Sequence, residues 1–267
     1  YVCAFGSRMV GASFAASEGV ISCISPPGVL GEQVHLEVSL NAQQFSSQAA
    51  LFTYHAVPLV SAYSPSSGPA QGNTRVRVDG VGFSGGSDYR CRFDACGECH
   101  TAWSCHGCVV NATHVPSDSG SSSSASLVCI SPRLSDWRSD GTAMVSLEVS
   151  LNSQQFTFTD VADARYVFYE TPAVLSVSPN LGPVEGLTRV VINGSALDGS
   201  GSQLLCRFNG SATPAVYETS AAGIVCSSAV GGSTGGVVPL ELALNGQQFG
   251  PSSLAFVYYP TPRVSSL

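Results

Sequence analysis

The sequence predicts an all-β fold of small sandwiches in tandem, from a hexamer written three times, alternating runs beside each copy, and cysteine pairs recurring at matching places. LNAQQF stands at residues 40–45, LNSQQF at 151–156 and LNGQQF at 244–249. Before each lies a run of period two, Val34-His-Leu-Glu-Val38, Val145-Ser-Leu-Glu-Val149 and Val238-Pro-Leu-Glu-Leu242, the pattern of a strand with one buried face. After each comes an aromatic strand, LFTYHAVP, YVFYETP and FVYYPTP. Further back, SPSSGPAQGNTRVRVDG (64–80) answers SPNLGPVEGLTRVVING (178–194), and CRF at 91–93 answers CRF at 206–208. Repetition on this scale sets the architecture before any single motif does.

Complete repeats therefore run over 59–172 and 173–262, and 263–267 read as the first strand of a following repeat. Residues 1–58 read as the C-terminal part of a preceding one, because Tyr1-Val-Cys-Ala-Phe-Gly6 aligns with LLCRFNG at 204–210. The expectation is a window on a longer array. LNxQQF falls where a hairpin is needed: Asn41, Asn152 and Asn245 suit turn conformations, and Phe45, Phe156 and Phe249 are expected to re-enter the core. The paired glutamines are turn residues in the plainer view, with carbohydrate binding or lateral contact as the alternative. No Gly/Ser tether separates the repeats, and Pro58, Pro172, Pro260 and Pro262 stiffen the junctions, so the modules should stack as a rod.

Ten cysteines among 267 residues suggest an oxidising compartment if their spacing fits pairing. Cys3 and Cys23 are 20 apart, as are Cys206 and Cys226, while Cys91 and Cys129 hold the equivalent places around an insertion at 95–126. Three copies of one pair predict three disulfides within repeats. The insertion adds Cys96, Cys99, Cys105 and Cys108, with His100 and His106 interleaved. These fit two further disulfides, a four-thiolate zinc site or free thiols. Disulfides are preferred because the other six cysteines read as oxidised, and their connectivity is open.

Charged residues make up 11% of the chain, against roughly 25% in an ordinary soluble domain. All 11 basic residues are arginine and the net charge is −7. Phosphate-loop and Schiff-base lysines are thereby excluded, and nucleic acid is an improbable partner, since its binding needs phosphate neutralisation. Sugars or neighbouring subunits would explain a surface so poor in charge. The sequons Asn111-Ala-Thr113, Asn193-Gly-Ser195 and Asn209-Gly-Ser211 are candidate N-glycosylation sites, and Ser119–Ser126 is a Ser-rich loop tip suited to O-linked sugar.

The repeats resemble IPT/TIG domains, the immunoglobulin-like modules of plexins, Met-type receptors and many surface proteins. The resemblance rests on Pro179-Asn-Leu-Gly182-Pro183, Gly186-x-Thr188, Val190-x-Ile192-x-Gly194, Cys206-Arg-Phe208 and Ile224-Val-Cys226. Pro65 to Gly68, Gly72, Thr74, Val76, Val78, Gly80, Cys91, Phe93 and Cys129 repeat it. It implies tandem immunoglobulin-like (E-set) β-sandwiches. Although the family includes DNA-binding modules, the acidic charge, sequons and paired cysteines place this chain with the extracellular branch.

No catalytic, cofactor or metal site is expected. Gly80-Val-Gly82-Phe-Ser-Gly85 satisfies GxGxxG, but a strand rather than a helix should follow it. Gly231-Gly-Ser233-Thr-Gly235 matches GxSxG, but in a Gly/Ser loop leading into a strand. Glu37, Glu148 and Glu241 recur on the outward side of their strands, and if the CRF strand lies alongside, Arg92 should meet Glu148 and Arg207 should meet Glu241. The first unit has Ala4 there.

The expected function is that of a non-enzymatic extracellular or cell-surface structural or adhesive array, a glycosylated rod or filament component. Its partners would be neighbouring repeats, other copies of itself, and cell-surface protein or carbohydrate. A plexin-like receptor ectodomain is the alternative, followed by an accessory module of a secreted enzyme.

Overall fold

The computed structural model describes residues 1–93, 109–116, 125–134, 142–157, 165–197, 201–232, 235–250 and 254–263. Two compact units are present, Tyr1–Val57 and Pro58–Leu267. The cysteine-rich knob (Cys96, Cys99, Cys105, Cys108), the GxSxG serine Ser233 and most of the loop tip 119–126 lie outside the described residues.

The first unit is one antiparallel sheet of β1 (Val2–Phe5), β2 (Arg8–Ala15), β3 (Val20–Cys23), β4 (Gln33–Ser39) and β5 (Ala50–Thr53), ordered β3-β2-β1-β4-β5. Cys3, Ala4 and Phe5 are buried, and Phe52 meets the Phe5 ring edge-on at 5.0 Å.

The second unit holds the same five-strand succession twice, each time preceded by three more strands. The first copy comprises β6 (Leu59–Ser64), β7 (Ser67–Pro69), β8 (Arg75–Val81), β9 (Arg90–Phe93), β10 (Val109–Val115), β11 (Ala125–Ile130), β12 (Thr142–Ser150) and β13 (Arg165–Tyr169). The second comprises β14 (Ala173–Ser178), β15 (Leu181–Pro183), β16 (Arg189–Ser195), β17 (Leu205–Phe208), β18 (Ser211–Glu218), β19 (Gly223–Ser227), β20 (Gly236–Ala243) and β21 (Ala255–Tyr259). Pairing runs β6-β8-β11-β10-β9-β12-β13-β7 in one and β14-β16-β19-β18-β17-β20-β21-β15 in the other. The two orders correspond strand for strand.

Alternation supplies the cores. Val76 and Val78 on β8, Phe93 on β9, Leu127 on β11, Leu147 on β12 and Phe168 on β13 all point into one cluster, while Arg75, Arg77 and the other residues between them face out. Strands from both halves of the ladder contribute, so the ladder folds over on itself as a sandwich. The disulfides mark the fold-over. Cys91–Cys129 and Cys206–Cys226 join strands two places apart in the order, yet their Cα atoms lie 6.3 and 6.4 Å apart, well under two strand spacings of about 4.8 Å. Cys3–Cys23 does the same for β1 and β3 at 6.4 Å.

Each sandwich closes on a parallel pair, β7 with β13 and β15 with β21. Of the GxGxxG glycines, Gly80 lies on β8 and the other two in the turn that follows it, Gly82 and Gly85 taking φ of 77° and 81°, and the next element is strand β9. No helix receives them.

Candidate interaction site

The outward arginines pair as the strand order requires. Arg92 lies opposite Glu148 and Arg207 opposite Glu241. Arg207 Nε and Nη2 donate to the Glu241 carboxylate at 2.7 and 2.8 Å, and Arg92 Nε donates to Glu148 at 2.7 Å. Hydrogen bonding from Arg207 holds the Glu241 carboxyl below the usual carboxylate range and raises the Arg207 guanidinium in turn. In the first unit Ala4 lies opposite Glu37. There, instead, Arg8 donates to Glu32 at 3.1 and 3.3 Å.

The phenylalanines of the hexamers depart from expectation. Phe156 and Phe249 do not re-enter the core; they are half-buried on the outer face, with the Arg92 and Arg207 guanidinium carbons 4.3 and 3.8 Å from their ring centroids. Arginine thus sits between a carboxylate and an aromatic face, which gathers all three side chains on one surface. Phe45 is also half-buried and outside the core clusters.

The asparagines stand in the hairpin turns, as the sequence predicts. The left-handed residue of each turn is the one after Asn: Ala42 and Ser153 at φ 62° and Gly246 at 72°. The asparagine works through its side chain. Its Oδ1 accepts backbone N–H bonds from both glutamines, at 3.0 and 3.1 Å for Asn41, 3.1 and 3.1 Å for Asn152, and 3.2 and 3.1 Å for Asn245. Its Nδ2 donates to Oε1 of the second glutamine in all three copies. That bond takes up the amide oxygen from within the turn and leaves the Nε2 available to donate elsewhere.

In the third hexamer both glutamines are engaged, and the partner is the preceding repeat. Gln248 Nε2 donates to the Gly72 carbonyl at 3.0 Å, and Gln248 Oε1 accepts from the Thr74 hydroxyl at 2.9 Å. The Gln247 amide pairs with the main chain of Arg75, accepting from its N–H at 3.1 Å and donating to its carbonyl at 2.9 Å. Asn245 Nδ2 reaches the Thr74 hydroxyl at 3.3 Å. Beside the hairpin, the Ser67 hydroxyl accepts from the Ser202 N–H at 2.9 Å and donates to its hydroxyl at 3.0 Å, and Gln203 Nε2 donates to Ser64 at 3.2 Å. Thr171, on the linker, donates to Gln71 at 2.6 Å. Thr74 and Asn245 are fully buried in this contact.

The seat exists because Gly72 and Asn73 both adopt positive φ, 76° and 65°. A Cβ on Gly72 would also stand 2.5 Å from the Pro132 backbone, so glycine is required there. Ser131 braces the bend, its hydroxyl oxygen accepting the Thr74 N–H at 3.0 Å. Sequence reasoning missed this seat, although its signal was present: Gly-x-Thr-Arg at 72–75 and 186–189 recurs with LNxQQF.

Of the sequons, Asn209 is exposed at the β17–β18 turn with φ 47°, Asn111 is exposed on β10 and accepts from Arg90, and Asn193 is half-buried on β16. Among the described residues no three His, Cys, Asp or Glu side chains gather as a metal site.

The model of the IPT/TIG domain family matches residues 58–162 and 172–258. No curated protein matches the chain. Among solved structures, the chain is similar to the full extracellular region of plexin A4, with 15% identity and a TM-score of 0.53 over 99% of this chain and 22% of that one. A second plexin A4 structure gives 18%, 0.38, 75% and 18% on the same measures. The Escherichia coli adhesin FdeC gives 16%, 0.26, 86% and 74%. At such identity the first likeness shows the fold alone.

Proposed function

We propose, from the premise that the chain belongs to the IPT/TIG domain family, that it is a non-enzymatic extracellular array whose repeats clasp one another to make a stiff structural or adhesive element. The clasp between Gln247–Gln248 and Gly72–Arg75 carries the proposal. A flexible string of binding modules has no use for a preformed hairpin that buries itself in its neighbour, whereas a spacer that must hold direction does. Three disulfides support an oxidising compartment. The low share of charge supports a surface covered by sugar or by further subunits.

Glycans at Asn111, Asn193 and Asn209, two further disulfides in the knob rather than zinc, and a rod of stacked repeats belong to the same proposal. Receptor ectodomains share this architecture, as the plexin A4 likeness illustrates, but a rigid clasp favours a structural role.

Electron microscopy of native material should show stiff, narrow, beaded rods, and mass spectrometry should find sugar on Asn209 and Asn111. Freely hinged beads with bare asparagines would overturn the proposal. Stoichiometric zinc in native protein would overturn the disulfide assignment of the knob.

A further inference from the structure

Asn193 lies on the outward face of β16, since Val190 and Ile192 beside it belong to the core and alternation turns Val191 and Asn193 the other way. On one side, β14 bulges between Val174 and Ser176. Val174 and Val177 still pack against the core, so the bulge turns Leu175 outward beside Asn193, and Leu175 is 70% exposed. On the other side Ile192 pairs with Ile224, which brings Gly223 next to Asn193. A Cβ on Gly223 would stand 2.6 Å from Asn193 Oδ1. The row Val191, Val225, Val216 carries the apolar ground across two more strands, and Val216 is 58% exposed. Among the described residues the Asn193 amide has no hydrogen-bond partner.

The second repeat fills the same place with polar groups. Strand register equates Ser61 with Leu175, Arg77 with Val191, Asp79 with Asn193 and Ser126 with Gly223. There Arg77 Nε donates to the Asp79 carboxylate at 2.7 Å, the Ser126 hydroxyl donates to it at 2.7 Å, and the Ser61 hydroxyl donates to the Asp79 carbonyl at 3.0 Å. The third repeat exchanges all four at once, for a sequon asparagine, two exposed or half-buried aliphatic side chains and a glycine. Core packing does not ask for this, because the four face away from the core. Nor does the clasp: where it is made, it engages Ser64, Ser67 and residues 71–75, and Ser61, Arg77, Asp79 and Ser126 bond within their own repeat.

We propose that Asn193 bears an N-linked glycan whose first sugars lie against the sheet over Leu175 and Val191, so that this modification is a packing element of the third repeat. The sugar is joined to Nδ2. Its ring presents C–H faces to the two aliphatic side chains and keeps its hydroxyl edges in water, while Gly223 leaves the asparagine room over the neighbouring strand. Attachment precedes pairing of the strands, so half-burial in the folded sheet does not prevent it. The inference rests on the glycan reading above and separates one sequon from another. Asn209 stands on an exposed turn, where a Cβ on the adjoining Gly210 would meet nothing within 4 Å; a sugar there has no such bed.

The experiment uses the full chain secreted from a host that attaches N-glycans. Glycopeptide mass spectrometry should find Asn193 occupied. When the folded protein is treated with an amidase that hydrolyses the bond between sugar and asparagine, Asn193 should lose its glycan about tenfold more slowly than Asn209, and the difference should vanish on unfolding. Leu175→Ser with Val191→Arg, which restores side chains of the second repeat, should bring the two rates within about twofold. Ser195→Ala, which abolishes attachment and leaves Asn193 in place, should lower the melting temperature of the third repeat by about 4 °C, but not in protein made without glycans. A bare Asn193 beside an occupied Asn209 or Asn111, or equal release from both sites in the folded protein, would overturn this inference and leave the glycan reading standing. Bare asparagines at all three sequons would overturn that reading as well.

Discussion

The hydroxyl of Thr74 donates to Oε1 of Gln248, 174 residues further along the chain, at 2.9 Å. The two belong to successive repeats, and no local signal of secondary structure connects them. What connects them is a hairpin ordered by its own asparagine and a bend ordered by Gly72. Preformed parts lose little freedom on joining, so a modest number of hydrogen bonds suffices to hold two sandwiches in one orientation.

Thr74→Val and Gln248→Ala should therefore be coupled. A double-mutant cycle is expected to give an interaction of about 1 kcal/mol. In hydrogen exchange, backbone opening in residues 245–250 should speed up about fivefold in either single variant. Additive effects would show that the two side chains do not act together.

Gly68→Ala tests how closely the seat is built. A Cβ there would stand 2.2 Å from the Tyr166 hydroxyl and 2.3 Å from Thr74 Oγ1, so the second repeat should lose about 1 to 3 kcal/mol and melt several degrees lower. Gly11→Ala, with nothing within 4 Å of the added carbon, is the control and should leave the melting temperature unchanged.

Removing the Cys206–Cys226 bridge as the double alanine variant should destabilise the third repeat by about 3 kcal/mol. Both residues are buried, so part of that cost is lost packing. A Cys206→Ala, Cys226→Val variant, which refills the space, should recover that part alone when unfolding is followed in denaturant.

Stability should fall at both ends of the pH scale, for different groups. Glu241 has a folded pKa lowered from 4.5, chiefly by the Arg207 hydrogen bond. A lowered pKa gives stability present above the unfolded value and lost as pH falls through the folded one, so the advantage of wild type over Glu241→Gln should shrink below about pH 4.5. The pair is solvated, and its whole effect should stay within about 1 kcal/mol. Tyr63 is pushed up by burial to about 12 from 10.0. Its contribution is present below the unfolded value and lost as pH rises from 10 toward 12, a slope that Tyr63→Phe should remove in alkaline unfolding curves.

The strand succession, the cysteine pairs and the Arg–Glu partners are legible because each complete repeat writes them out and each depends on partners within its own repeat. Alternation says which face Arg207 and Glu241 share, and strand order says that they meet. Phe249 reads as inward because aromatic residues usually bury; the Arg207 guanidinium covers its ring face outside the core. The glutamines were the harder case. Gln154 and Gln247 are the same residue in the same turn and both are exposed, yet Gln247 bonds the main chain of another repeat. Nothing within LNxQQF distinguishes them. What Gln247 meets is set by how two repeats lie against each other, a property of tertiary arrangement that no local pattern carries.

The short parallel pairs that close each sandwich have a mechanical consequence. Ser67–Pro69 lies near the start of its repeat and Val167–Tyr169 at its end, running side by side in the same direction, and Leu181–Pro183 with Val257–Tyr259 repeats the arrangement. When the two ends of such a repeat are pulled apart, these strands slide past one another, and their hydrogen bonds share the load at once instead of unzipping singly. Tension along the polypeptide is thus met by a shear clamp in every complete module, and stretching single molecules should give one force peak per module.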